Sequence, residues 1–264
     1  MHRPKVWIIN IGTELTIGRI VNTNGSWLAR ELTLRGGDVR RIVVVPDEEE
    51  EVTKVIQEAV KSAQIIITTG GLGPTFDDRT LEFIAKALGR RLVENNEALQ
   101  MVLEKYSRLN LPLTEERRKM ALLPEGGRPI PNPVGTAPGL HLVLDGGIHI
   151  FALPGVPSEM EAMFTSYVVR ALENVLPRLC VVEESMEIHG VPESELAPLI
   201  KQVAKKYSDV YLKSHPAGEE LSKPIITVKA MASADSCDKA RERARAAIAD
   251  LNNLLQGKDV KRVA

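Results

Sequence analysis

The segment from Thr69 to Thr80, Thr-Gly-Gly-Leu-Gly-Pro-Thr-Phe-Asp-Asp-Arg-Thr, holds the residue types best suited to chemistry. Gly70, Gly71 and Gly73 lack a Cβ, so their backbone N–H groups can converge on an anion, and the helix expected after them adds its positive dipole end. The hydroxyls of Thr69 and Thr75 can add donors, and Pro74 closes the glycine run. Asp77 and Asp78 would repel a bare phosphate. Beside such a loop they point to a divalent cation shared between carboxylate and phosphate oxygens. A plainer reading also stands, in which one aspartate caps the following helix and the glycines only make the turn. The segment lacks Gly-Lys-Ser/Thr and the dinucleotide fingerprint, so neither of those phosphate loops is expected.

Three further segments have a similar character. Gly12-Thr13-Glu14 follows the first apolar run, and Glu14 is either a second metal ligand or a surface acid. Asn22 and Asn24 serve equally well as ligand contacts or as helix caps. Asn132-Pro133-Val134-Gly135-Thr136-Ala137-Pro138-Gly139 is a turn-rich segment suited to recognising a ligand through its backbone. Pro154-Gly155-Val156-Pro157-Ser158-Glu159 makes a tight strand-to-helix turn, with Ser158 expected to cap the helix and leave N–H groups for an anion. The acidic run Glu48–Glu51 reads as dipole partners in a first helical turn rather than as a metal patch. No nucleophilic triad stands out, and no histidine pair has metal-ligand spacing. His141 and His149 alternate with apolar residues and are expected to be partly buried structural groups. His215 lies in an expected mobile loop, 215–220.

Elements must carry these loops, and the pattern supplies them. Val6–Ile11, Val39–Val45 and residues 64–69 are apolar runs that read as strands covered on both faces. Each is followed by a helical pattern: Asn24 onward with Trp27, Leu28 and Leu32; Asp47, as cap, onward with Val52, Val55, Ile56, Ala59 and Val60; and a third with Leu81, Ile84, Ala85 and Leu88, stopped at Gly89. Three successive strand–helix units imply a right-handed, mostly parallel α/β sheet, whose ligands sit at the carboxyl ends of the strands. Residues 95–110 read as a helix, and residues 140–145 and 148–153 flank Gly146-Gly147 as a hairpin. A helix from Ser158 to about Leu176 closes the domain. After Pro177 the order β-α-β-β-α implies a second, smaller α+β domain, so the expected division is 1–176 and 177–264.

Composition narrows the function. Lys plus Arg number 34 against 35 Asp plus Glu, a net charge of −1, and aromatics are 4%. That excludes a basic footprint for nucleic acid and a base-stacking platform. No apolar stretch is long enough for a membrane span or a signal peptide, so a cytoplasmic protein is expected. Cys180 and Cys237 are too few for a disulfide framework or a four-thiolate zinc site and are expected to be reduced structural thiols.

Taken together, Gly-Thr-Glu-Leu-x-x-Gly-x-x-x-Asn-Thr-Asn, Thr-Gly-Gly-Leu-Gly-Pro-Thr-x-Asp-Asp-x-Thr, Asn-Pro-Val-Gly-Thr-Ala-Pro-Gly and Gly-Val-Pro-Ser-Glu-Met resemble the amino-terminal region of CinA-type proteins, within the wider MoaB/Mog molybdopterin-binding fold. The resemblance covers residues 5–175 closely and 176–260, similar to the small middle domain of CinA, more loosely. It implies a three-layer α/β/α domain of the MoaB/Mog type, a homo-oligomer, most often a dimer, and a small-molecule nucleotide or pterin ligand whose pyrophosphate lies at Gly70–Thr75. It further implies metal-dependent hydrolysis of ADP-ribose or a similar dinucleotide, with Asp78, joined by Asp77 or Glu14, holding Mg²⁺, Mn²⁺ or Co²⁺. Gly12, Thr13, Asn22, Asn24, Asn132, Gly135 and the Gly155–Glu159 turn would shape the rest of the pocket. Molybdopterin binding or adenylyl transfer, and a non-enzymatic partner of a separate amidase, are the alternatives. Two departures bear on this. The family usually continues into a carboxyl-terminal nicotinamide-nucleotide amidase domain, whereas this chain ends at Ala264, so amidase activity is not expected. Thr13 stands where many relatives have Asp, which removes one carboxylate from that loop.

Overall fold

The computed structural model describes residues 3–216 and 224–255. The chain forms two compact units, one of residues 1–33 and 37–177, the other of residues 178–264 together with 34–36.

The larger unit is built on a six-stranded sheet. In chain order it contains β1 (Lys5–Ile11), α1 (Thr13–Thr16), α2 (Thr23–Leu34), β2 (Asp38–Val45), α3 (Glu49–Ser62), β3 (Ile65–Thr69), α4 (Thr80–Ala87), β4 (Leu92–Glu94), α5 (Asn96–Arg108), α6 (Glu115–Lys119), β5 (Leu122–Pro124), β6 (Arg128–Ile130), β7 (Gly139–Leu144), β8 (Ile148–Leu153), α7 (Pro157–Met163), a π-helical turn (Phe164–Val168) and α8 (Val169–Ala171). The strand order is β2-β1-β3-β8-β7-β6. β2, β1, β3 and β8 run parallel. β7 is antiparallel to both of its neighbours, so the sheet is mostly parallel.

Alternation along β1 explains the three layers. Trp7, Ile9 and Ile11 pack with α3, α4 and α5 on one face, while Val6 and Ile8 pack with Leu28, Leu32, Met160 and Phe164 on the other. Both faces of the strand are apolar, as a sheet covered on two sides demands. The helical spacing read in α3 is borne out by burial of Val52, Val55, Ile56 and Ala59. The β7–β8 hairpin turns at Gly146 and Gly147, whose φ values of 80° and 77° suit a tight turn that other residues resist.

Local capping differs from the sequence reading at several helix starts. Asp47 does not cap α3, whose first flanking residue is Glu48 with no side-chain bond. Asn22, not Asn24, caps α2, accepting the Gly25 N–H at 2.9 Å. Neither Asp77 nor Asp78 caps α4, whose flanking residue is Arg79. Ser158 does not cap α7 either: Val156 occupies that place and Pro157 begins the helix, its missing N–H costing nothing in a first turn. The single helix expected from 158 onward is interrupted by the π-helical turn at Phe164–Val168.

The smaller unit has the order β9 (Cys180–His189), α9 (Glu193–Lys206), β10 (Val210–Pro216), β11 (Ile225–Ala234) and α10 (Cys237–Leu254), with an antiparallel sheet β10-β11-β9. His215 and Pro216 end β10, and the rest of the expected 215–220 loop lies outside the described residues. The expectation of reduced thiols is overturned: Cys180 and Cys237 form a disulfide. Register is the reason. Ala234 pairs with Cys180 across the β11–β9 ladder, and α10 begins three residues later. The two sulfurs, 57 residues apart in sequence, are thereby neighbours.

His141 and His149 lie on β7 and β8, half-buried and joined by a 3.1 Å contact between His141 Nε2 and His149 Nδ1. His141 Nδ1 lies 3.2 Å from the Tyr167 hydroxyl, and its ring stacks on Phe151 with centroids 4.3 Å apart. Burial, then the neighbouring His149 and Arg128, lowers the His141 pKa to about 4. The folded state therefore holds a neutral imidazole where the unfolded chain, titrating near 6.5, takes up a proton. The resulting stability is fully present above about pH 6.5 and is lost as pH falls toward 4. Thermal melts should show Tm falling through this window, with a shallower fall in His141→Gln. Parallel curves for the two proteins would refute the assignment.

Candidate functional site

The carboxyl ends of β1, β3 and β8 meet at Gly70, and the 132–139 segment reaches the same cavity through Thr136. The Gly70 N–H donates to Leu153 O at 3.0 Å, and its carbonyl accepts from the Thr80 hydroxyl at 2.9 Å. A Cβ added to Gly70 would stand 2.1 Å from Ile11 O, and its φ is +101°. Glycine is required there on both counts. Gly155 packs against it, an added Cβ there lying 3.4 Å from Gly70 Cα. The Gly70 N–H is thus consumed by the fold. The N–H groups of Gly71, Leu72 and Gly73 donate to no acceptor among the described residues, and all three residues line one cavity of about 420 Å³.

Carboxylates dominate that cavity. Glu14, Asp47, Asp77, Asp78 and Glu159 line it, and no Lys or Arg does. Asp78 Oδ2 accepts the Thr75 N–H at 2.9 Å, and the Thr75 hydroxyl lies between Asp78 and Asp77, 2.6 Å from the former. Thr75 therefore organises the two aspartates rather than offering free donors to a ligand. That hydroxyl, followed by the local backbone N–H and the charge of Lys119, holds the Asp77 carboxyl below its ordinary range. Lys119 at the end of α6 donates to Thr75 O and ties the loop down.

The other loops contribute unequally. Glu14, on the single turn α1, reaches the cavity wall, and its carboxylate lies over Gly12, where an added Cβ would come within 2.5 Å of Oε1. Thr13 is bound to Asp47 instead of facing a ligand: its N–H and hydroxyl donate to Asp47 Oδ2 at 2.7 and 3.1 Å. Asp47 consequently brings a carboxylate to the loop where Thr13 lacks one. Asn24 Nδ2 donates to Gly155 O at 2.8 Å, joining the first loop to the fourth. Thr69 is buried and donates to Asn10 Oδ1 at 3.0 Å, a bond between adjacent strands.

Asn132 is 5% exposed and fully engaged. It accepts from Val134 and Gly135 N–H and donates to Ala137 O and to Glu159 Oε2, the last at 2.7 Å. It holds Glu159 in place, and Gly135 leaves room for that carboxylate, an added Cβ falling 2.0 Å from Oε2. Asn132, Gly135, Gly12, Thr13, Thr75 and Ser158 are absent from the cavity lining, whereas Pro74 and Gly155 belong to it. Asn22, Thr69 and Pro157, with Asn24 and Glu14, line a smaller cavity beside it. Sequence reasoning gave no site role to Asn10, read Asp47 only as a helix cap, and did not single out Thr80 and Thr136 within their segments. Asn10 carried a signal, as the lone polar residue in the apolar run Val6–Ile11.

A family model described as Probable molybdopterin binding domain matches residues 7–174. The chain belongs to the molybdopterin-binding domain family. A protein of Aeropyrum pernix is 48% identical over 247 residues, covering 94% of this chain and 92% of that one. A protein of Pyrobaculum calidifontis is 48% identical over 255 residues, covering 97% of each. Among solved structures, the protein CinA of unknown function from Thermoplasma acidophilum matches with 42% identity and a TM-score of 0.59, over 66% of this chain and 98% of that one. The resemblance drawn from the four loops is therefore borne out at the level of family and fold.

The chemistry of the donor set tests the cation that the glycine loop and its aspartates suggest. Among the described residues no group of three His, Cys, Asp or Glu side chains stands close enough to enclose a metal ion. Five carboxylates around free N–H groups still suit a cation of the Mg²⁺ type, which takes one or two carboxylates and completes its shell with waters and phosphate oxygens. Asp77 and Asp78 fit that role. Two substitutions separate the loop's structural and binding roles. Gly70→Ala should lose more than about 1 kcal/mol of stability in urea unfolding. Gly73→Ala, whose Cβ would press on the Asp78 carboxylate, 2.6 Å from Oδ2 and 3.1 Å from Cγ, rather than on backbone, should lose less stability while losing pyrophosphate–Mg²⁺ binding. Equal stability of the two variants would contradict the assignment.

Proposed function

We propose that the larger unit binds a pyrophosphate-bridged ligand with a divalent cation and hydrolyses ADP-ribose or a similar dinucleotide to two monophosphates. One observation carries the reading: three unpaired N–H groups share a cavity with five carboxylates and no basic side chain. The N–H groups suit phosphate oxygens, but the surrounding negative charge forbids a bare polyanion. A cation between the two reconciles them. When bound, it would polarise the phosphoryl oxygen and acidify a water molecule.

The chain's own part follows from position. The N–H groups of Gly71, Leu72 and Gly73 hold the phosphate oxygens, and Asp77 stays ionised because Thr75 and Lys119 favour its charged form. Asp78, fixed by Thr75, completes the carboxylate pair. Glu14 and Glu159 face the same space and are placed to accept the proton of an attacking water. Hydrolysis adds that water across the P–O–P bridge, giving AMP and ribose 5-phosphate.

The family's description favours a second ligand, molybdopterin or its adenylate, which would use the same glycine loop. Incubation with ADP-ribose and Mg²⁺, Mn²⁺ or Co²⁺ separates the readings. AMP should form, and Asp78→Asn should lower its rate about a hundredfold or more. No AMP with any metal would sink the hydrolase reading. Thermal stabilisation by a pterin but not by ADP-ribose would then favour the second, a ligand at 100 times its Kd adding about 2.7 kcal/mol.

A further inference from the structure

Glu14 and Glu159 both line the glycine-loop cavity, but the fold treats their carboxylates differently. Glu14 lies over Gly12, and none of the described residues donates a hydrogen bond to its oxygens. Glu159 is held on three sides. It is the third residue of α7, where its N–H donates to Val156 O at 3.1 Å and fixes the backbone. Asn132 Nδ2 donates to its Oε2 at 2.7 Å. Gly135 lies flat against the carboxylate, so that an added Cβ would stand 2.0 Å from Oε2 and 2.5 Å from Oε1.

Asn132 can keep that grip because the rest of it is committed. Its Oδ1 accepts the Val134 and Gly135 N–H groups, and its Nδ2 also donates to Ala137 O. A side chain bonded at every polar atom has no second rotamer to visit. Swinging Glu159 away would leave a buried N–H of Asn132 without an acceptor, which is costly. Glu159 Oε2 is thus spent, whereas Oε1 accepts from none of the described residues. A tie between α7 and the 132–139 turn needs only the first oxygen. A carboxylate with one oxygen anchored and the other open, on a residue that lines a cavity, is oriented to take a proton.

We propose that Glu159 is the general base of the hydrolysis, with Asn132 and Gly135 as its positioning residues. This assignment rests on the hydrolase reading of the cavity and chooses between the two glutamates which that reading leaves open. As the water oxygen bonds to phosphorus, its proton passes to Glu159 Oε1. The bridging P–O bond breaks, its electron pair stays on the oxygen of the departing phosphate, and Glu159 then releases the proton to solvent.

Steady-state kinetics of the whole chain with ADP-ribose and Mg²⁺ test the assignment. Glu159→Gln preserves the bond from Asn132, because an amide oxygen still accepts, but removes the base. Its kcat should fall about a hundredfold or more while KM stays within about twofold. Glu14→Gln should cost less than about tenfold in kcat. Gly135→Ala displaces the carboxylate directly. Asn132→Asp keeps the oxygen used by the Val134 and Gly135 N–H groups while removing the donor to Glu159. Each should lower kcat about tenfold or more at unchanged KM. A Glu159→Gln protein within about threefold of the unaltered kcat would reduce Glu159 to a structural tie and overturn the assignment. So would a greater loss in Glu14→Gln than in Glu159→Gln, or a Glu159→Gln loss recovered by raising Mg²⁺, which would make Glu159 a cation ligand. Absence of AMP from the unaltered protein with any metal would overturn the hydrolase reading beneath it.

Discussion

The close approach of Gly70 to the ends of three strands governs the whole site. Its amide is tied to Leu153 at the end of β8, its carbonyl to Thr80 at the start of α4, and its Cα lies where any side chain would strike the Ile11 carbonyl at the end of β1. The parallel sheet delivers those ends to one edge, and a residue without Cβ lets them close. Once Gly70 is pinned, Gly71, Leu72 and Gly73 continue outward with their N–H groups unspent. The same contact that stabilises the fold thus removes one donor from the loop and frees the next three.

Charge then decides what can occupy the space. Five carboxylates with no Lys or Arg beside them in the lining make a cavity that attracts cations and repels polyanions, yet the glycine N–H groups attract anion oxygens. The proposed cation–phosphate pair meets both demands. This also fits the near-zero net charge of the chain, −1. On this proposal the phosphates are held by one short loop, with no basic surface required. Thr75, Asn132 and Lys119 act behind the cavity wall, each holding a carboxylate or the loop that carries it.

Much of this was legible from residue patterns, for identifiable reasons. Strands such as Val6–Ile11 and helices such as α3 declare themselves because burial repeats with period 2 or 3.6. The four loops stood out because glycine, proline and acidic residues cluster where a strand must end. What escaped was pairing across long distance. Nothing local to Cys180 indicates that Ala234 will lie opposite it and bring Cys237 near. Nothing local to Asp47 indicates that Thr13 will claim it and leave Glu48 to begin the helix. Asn132 and Thr75 were found as site residues but with their direction reversed. A side chain that bonds its own turn and one that faces a ligand have the same sequence signature.

The central claim is that a phosphate-bound cation lies between the glycine N–H groups and the Asp77–Asp78 pair. Crystals grown with Mn²⁺ and a methylene-bridged diphosphate test it most directly, because manganese gives an anomalous signal of its own. The account predicts one diphosphate over Gly71–Gly73 and a manganese peak about 2.1 Å from an oxygen of Asp77 or Asp78. A diphosphate bound elsewhere, or one seated on the glycine loop with manganese away from both aspartates, would contradict it.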